Sequence, residues 1–125
     1  MKEIYKRQPT IRTLPKRSNI NSNGHIFGGW ILSQMDSAAG IEAMRRVKGP
    51  VATVAIEAMK FHAPVSIGDW MSVYTDITKV GKTSLTVHIE VTVVSRDNEE
   101  ETVVTEGDFI FVALDKNHRP KVIDQ

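Results

Sequence analysis

The stretch Asn19 to Gly40, NINSNGHIFGGWILSQMDSAAG, sets a glycine-rich turn directly before a nearly uninterrupted apolar run that carries one carboxylate, Asp36. From about Gly29 to Val47 the run reads as a helix, stopped by Gly49-Pro50. Its apolar set, Trp30, Ile31, Leu32, Met35, Ala38, Ala39, Ile41, Ala43, Met44 and Val47, covers most of a helical circumference. Such a helix has to be wrapped by other structure rather than laid on a surface. Gly28 and Gly29 let a ligand approach the backbone closely. The first N–H groups of a helix have no internal partner, so this end is a donor site suited to an oxyanion.

Asp36 lies too deep in the helix to cap it, and aspartate is a poor interior residue because it competes for backbone hydrogen bonds. Ser33, Asp36, Ser37 and Gly40 fall on one side of the helix. A solvated face would carry longer charged side chains, and these come only later, at Glu42, Arg45, Arg46 and Lys48. Small residues around a lone acid suggest a crevice wall. Half-buried carboxylates also serve as structural partners, and the pattern alone leaves both roles open.

Outward from the helix, Ile4 to Leu14 is basic and contains Pro9, so it forms at best a short edge strand, and Pro15 to Phe27 is a loop. Four strand-like segments follow, Val51 to His62, Asp69 to Val80, Thr83 to Arg96 and Thr102 to Asp115. The third alternates most cleanly, with Leu85, Val87, Ile89, Val91 and Val93 on one face. In the last, Val103, Thr105, Gly107, Phe109, Phe111 and Ala113 share a face, and Gly107 leaves room for the bulky side chains of a packed helix or for a bulge. The short links at Val80-Gly81-Lys82 and at Arg96 to Glu99 imply hairpins. The element order predicts an α+β domain over residues 1–125, an antiparallel sheet of about five strands curled around one long helix.

Composition narrows the function classes. A 125-residue chain with 41% hydrophobic and 25% charged residues is that of one ordinary globular domain, small enough that self-association would help to bury its apolar surface. No apolar run approaches the roughly 20 residues of a membrane span. Without cysteine there is no disulfide, thiolate nucleophile or Cys-based zinc site. A net charge of +1 gives no bulk argument for nucleic acid. The local cluster Lys2, Lys6, Arg7, Arg12, Lys16 and Arg17 reads as a solvated edge, with a phosphate contact as the functional alternative. The four histidines, His25, His62, His88 and His118, show no metal-ligand spacing.

The run NSNGHIFGGWILSQMD, the strand end MKFHAPVSIGD and the order of elements resemble the hotdog-fold acyl-CoA thioesterases, most closely the YciA-like short acyl-CoA hydrolases. The resemblance spans roughly Ile11 to Pro120. It implies hydrolysis of an acyl-CoA thioester to the acid and coenzyme A, with no cofactor beyond the coenzyme A of the substrate, in a cytoplasmic homodimer or trimer of dimers. By motif position it assigns catalysis to Asp36, as general base or nucleophile, and to Asn21 from the neighbouring protomer. Asn21 as a simple turn residue is the alternative. Gly28 and Gly29 would receive the thioester oxygen, with His25 near enough to touch substrate. For coenzyme A the hairpin Gly81-Lys82-Thr83-Ser84 is the best candidate by composition, and Lys60 comes next. His25 and His62 stand at positions that vary in the family. Two other functions compete: a hotdog enoyl-CoA hydratase or dehydratase using His25 with Asp36, and a non-catalytic acyl-CoA-binding module.

Overall fold

Helix α1 (Gly28–Val47) is the one long helix in the computed structural model, which describes residues 7–124. Around it are β1 (Ile11–Thr13), a 3-10 turn at Arg17–Asn19, β2 (Val51–Phe61), β3 (Trp70–Val80), β4 (Ser84–Ser95) and β5 (Asn98–Ala113). The strands make one antiparallel sheet in the order β1-β3-β4-β5-β2. Both expected hairpins form, because β3, β4 and β5 are consecutive in chain and in space. The expected N-terminal edge strand shrinks to Ile11–Thr13, and residues 4–6 of it lie outside the described residues, as do Lys2 and Lys6.

The helix ends as expected but by a different residue. Lys48, not Gly49, takes the left-handed conformation (φ 57°), and its N–H closes the last turn on the Met44 carbonyl. The core lies between α1 and the inner face of the sheet. Met35, Ala38, Ala39 and Ala43 are fully buried against Leu85, Val87, Ile89, Phe109 and Phe111. The sheet covers only one side of the helix, however, so the expectation of a wrapped helix holds for half of it. Ile41 and Met44 stay exposed, on the same side as Gly29, Ser33, Asp36 and Ser37.

Three strands depart from plain alternation, β3 by a shift between Ile77 and Lys79. In β5, Val91 pairs with Thr105 and Thr92 with Val103, which leaves Val104 as a bulge residue. The bulge buries Val104 and turns Val103 outward at 37% exposure, so Val103 does not share the inner face assigned to it from sequence. The same strand starts at Asn98 rather than Thr102, since Ser95 pairs with Asn98 across a turn of only Arg96 and Asp97. In β2, single extra residues fall between Thr53 and Ala55 and between Glu57 and Lys60. Ala58, in the second bulge, has φ 53°. Opposite it stands Gly107, so of the two expectations for this glycine the bulge is the one present, and the room is filled by Met59 of β2 rather than by a side chain of the helix.

The outer face of the sheet is polar and partly covered by the arm leading into β1. Arg7 lies 3.6 Å from the centre of the Tyr74 ring and pairs with Glu90 at 2.8 Å. The Tyr74 hydroxyl donates to Glu101, and burial together with that carboxylate raises its pKa.

A methyl group at Gly107 would run into the Met59 sulfur. Gly107→Ala should therefore cost about 1–3 kcal/mol of stability by urea unfolding. The loss should shrink when the substitution is made in a Met59→Ala background, which relieves the same contact.

Candidate functional site

Phe27 occupies the N-cap position of α1, and its side chain makes no capping hydrogen bond. Trp30 and Ile31 already donate to the Phe27 carbonyl. The N–H groups of Gly28 and Gly29 have no partner among the described residues, which leaves two donors facing outward at the positive end of a 20-residue helix. Both glycines are exposed, and nothing lies within 4 Å of where a Cβ of Gly29 would sit.

Two turns into the helix, Asp36 points to the side that the sheet leaves open. Its Oδ1 accepts a 2.6 Å hydrogen bond from the Thr53 hydroxyl. Oδ2 has no partner among the described residues, so one carboxylate oxygen is anchored and the other is free. The pair lines a cleft of about 310 Å³ with Gly29, Leu32, Ser33, Ile56 and Phe109. Asp36 is exposed in the single chain, and the crevice wall inferred from its small neighbours is an open one. Thr53 was not singled out by sequence reasoning. A threonine in a strand is an ordinary β-former, and no local signal separates it from its neighbours. Its place depends on the bulge at Val54, which brings Thr53 and Ile56, three residues apart, to the inner face beside Phe111 and Phe109.

Asn21 sits in the loop before the helix. Its Oδ1 accepts from the N–H groups of Asn23 and His25 at 2.9 and 3.1 Å. The turn reading of Asn21 is thus present in the structure. Its amide NH2 group has no partner among the described residues, and only the donor function of the side chain is left for another role. Within one chain Asn21 does not line the Asp36 cleft. Nor does His25, which lines a second cleft of about 350 Å³ with Ile26, Gly28, Ile31, Phe61 and Val65. The two clefts meet the same first turn of α1, one at Gly28 and the other at Gly29.

The residues considered for coenzyme A are far apart within one chain. Lys60 is exposed and pairs with Glu106, whereas the turn Gly81-Lys82-Thr83-Ser84 lies beyond the Ser84–Val112 pair at the other end of the sheet. That is roughly 20 Å along the strands. The turn is structurally engaged: Gly81 N–H donates to the Ser84 carbonyl, and the Lys82 and Thr83 carbonyls accept from Ile123 and Ala113. Among the described residues no group of three or more His, Asp or Glu side chains is placed to hold a metal ion. Among the described residues no helix is long and apolar enough to cross a membrane.

Comparison with known proteins adds a frame to this geometry. The family profile described as Thioesterase superfamily matches residues 23–99. The acyl-CoA thioester hydrolase YciA of Salmonella typhimurium is 40% identical over 114 residues, covering 89% of this chain and 86% of the relative. Among solved structures, a hexameric broad specificity acyl-coenzyme A thioesterase, determined with one aspartate replaced by alanine, superposes with a TM-score of 0.90. It is 41% identical, covering 94% of this chain and 87% of the other. The hexameric thioesterase y2039 of Yersinia pestis superposes at 0.88, with 36% identity and coverage of 94% and 96%.

Asn21→Ala removes the acceptor shared by two backbone N–H groups, and urea unfolding should show a loss of about 1 kcal/mol or somewhat more. Asn21→Asp keeps that acceptor and should stay close to the unaltered chain.

Proposed function

Because the chain belongs to the thioesterase superfamily, in its YciA-like hotdog branch, we propose that it hydrolyses acyl-CoA to the free acid and coenzyme A at the cleft beside Asp36. The observation that carries this reading is the Asp36 carboxylate, held at one oxygen by Thr53 and free at the other, on a helix whose first N–H groups are unpaired. Hydrolysis of a thioester needs a base for water and donors for the negative charge that grows on the carbonyl oxygen.

In this scheme the carbonyl oxygen rests on the N–H groups of Gly28 and Gly29. Each such donor is typically worth about 3 kcal/mol in the transition state. Asp36 takes the proton from water as water adds to the carbonyl carbon. The tetrahedral intermediate then collapses, the carbon–sulfur bond breaks, and the proton held by Asp36 passes to the sulfur, so that coenzyme A leaves as its thiol and the carboxylate is regenerated. Direct attack by Asp36 through a mixed anhydride is the other route open to the same carboxylate. Thr53 fixes the carboxylate's orientation, so that the free oxygen, rather than the bonded one, meets the reactants. Asn21 donates through its free NH2 group, since its oxygen is used within its own turn. Water and the thioester are the only reactants, with no cofactor, and the setting is cytoplasmic. Lys60 and the turn from Gly81 to Ser84 keep their assignment as coenzyme A contacts, supplied from different protomers because one chain separates them.

The site is shared between protomers in this reading. Within one chain Asn21 does not line the Asp36 cleft, and two related structures are described as hexameric. The surface available for pairing is apolar. Strand β2 is a sheet edge with Val54, Ile56 and Phe61 exposed, and beside it the open side of α1 carries Ile41 and Met44. An exposed apolar edge of this kind is one that soluble proteins cover. A homodimer, and a trimer of dimers built from it, would cover it. The hydratase reading gains no support from the single chain, where His25 and Asp36 line different clefts.

Asp36→Ala should lower kcat for thiol release from acyl-CoA about 100- to 10,000-fold with an unchanged thermal melt. Thr53→Val should lower kcat about 10- to 100-fold with little change in KM, the cost of losing a hydrogen bond to a charged group. Asn21→Asp and Asp36→Ala proteins, each inactive as a pure sample, should regain part of the activity once mixed and exchanged. No recovery after proven exchange would mean that each site is built from one chain.

A further inference from the structure

The second bulge of β2 makes Met59 a divider. Ile56 pairs with Phe109 on one side of it and Phe61 with Thr105 on the other, while Met59 itself fills the place left by Gly107. Ile56 and Phe109 belong to the Asp36 cleft, and Phe61 belongs to the neighbouring cleft lined by Ile26, Ile31 and Val65. Along the inner face of the sheet Met59 thus stands between residues that line the two clefts. On the helix side they abut at Gly28 and Gly29, the end of α1 with unpaired N–H groups.

We infer that Met59, seated on Gly107, is the residue that sets the acyl-chain-length limit of this protein, by closing the passage from the Asp36 cleft into the apolar pocket beside it. The inference rests on the acyl-CoA hydrolase reading. A thioester whose oxygen meets Gly28 and Gly29 has its acyl tail at the junction of the two clefts, whichever protomer supplies the aspartate. The pocket beyond is of the right chemistry for hydrocarbon, since Ile26, Ile31, Phe61 and Val65 line it. Met59 is half-buried and packs on the core, so a tail can enter only by displacing or bypassing it. Methionine is unbranched and flexible, and it yields gradually where an aromatic residue would block outright. The bulge at Ala58 is what turns Met59 inward onto Gly107.

Each methylene that reaches the pocket gains about a fourfold preference. The readout is therefore the ratio of kcat/KM for palmitoyl-CoA to that for butyryl-CoA, measured by thiol release from the full chain. Met59→Ala should raise this ratio at least about tenfold, while butyryl-CoA hydrolysis stays within about threefold of the unaltered protein. Met59→Val shortens the same side chain with a residue suited to a strand. It should shift the ratio in the same direction if the alanine variant does not fold. A residue with a merely structural role would depress all chain lengths alike. Normal hydrolysis with an unmoved ratio in a folded variant overturns the inference alone. An unaltered chain that releases no thiol from any acyl-CoA overturns the hydrolase reading and this inference together.

Discussion

The close approach of α1 to the inner face of the sheet is the constraint on which the rest depends. It is made by small residues. Ala38, Ala39 and Ala43 are fully buried, and Gly40 leaves a Cβ's width beside the Phe111 ring. Larger side chains on this side would lift the helix away from β5 and β2. Asp36 would then lose the 2.6 Å contact to Thr53, because a short carboxylate and a short hydroxyl can meet only if their backbones are near. The packing that buries the core is therefore the packing that positions the acid.

The open side of the helix follows from the same arrangement. The sheet faces only one side of α1, and the strand that would have to curl over the other, β2, ends the sheet. What is left exposed is a band of small and apolar residues with one carboxylate among them. For a protein that acts alone this would be an aggregation hazard. Two similar solved structures are hexameric, and in the proposed function this band is the surface on which copies meet, with the Asp36 cleft in it.

Strand β2 carries more of the site than its composition suggests. Two bulges bring Thr53, Ile56, Met59 and Phe61 to the inner side, where regular alternation from Thr53 would have kept Thr53 and turned Ile56 away. One bulge sets the partner of Asp36, and the other seats Met59 on Gly107. Irregularity in this strand is thus concentrated where side chains have to be aimed.

The sequence by itself determined the helix from about Gly29 to Val47, the alternating strand β4, the two hairpins, and the placing of a lone acid two turns beyond a glycine pair. These are local properties, carried by periodicity and turn chemistry over a few neighbouring residues. Only the tertiary structure decided that β1 pairs with β3, that β2 lies outside β5, that Val104 replaces Val103 in the core, and that Thr53 meets Asp36. A bulge is the insertion of one residue relative to a partner strand, so it exists only in the pairing and leaves no mark in the strand that bears it. For the same reason the sheet's failure to close over α1 was hidden. The apolar pattern of the helix records that every side is to be covered, without recording whether its own chain or another copy does the covering.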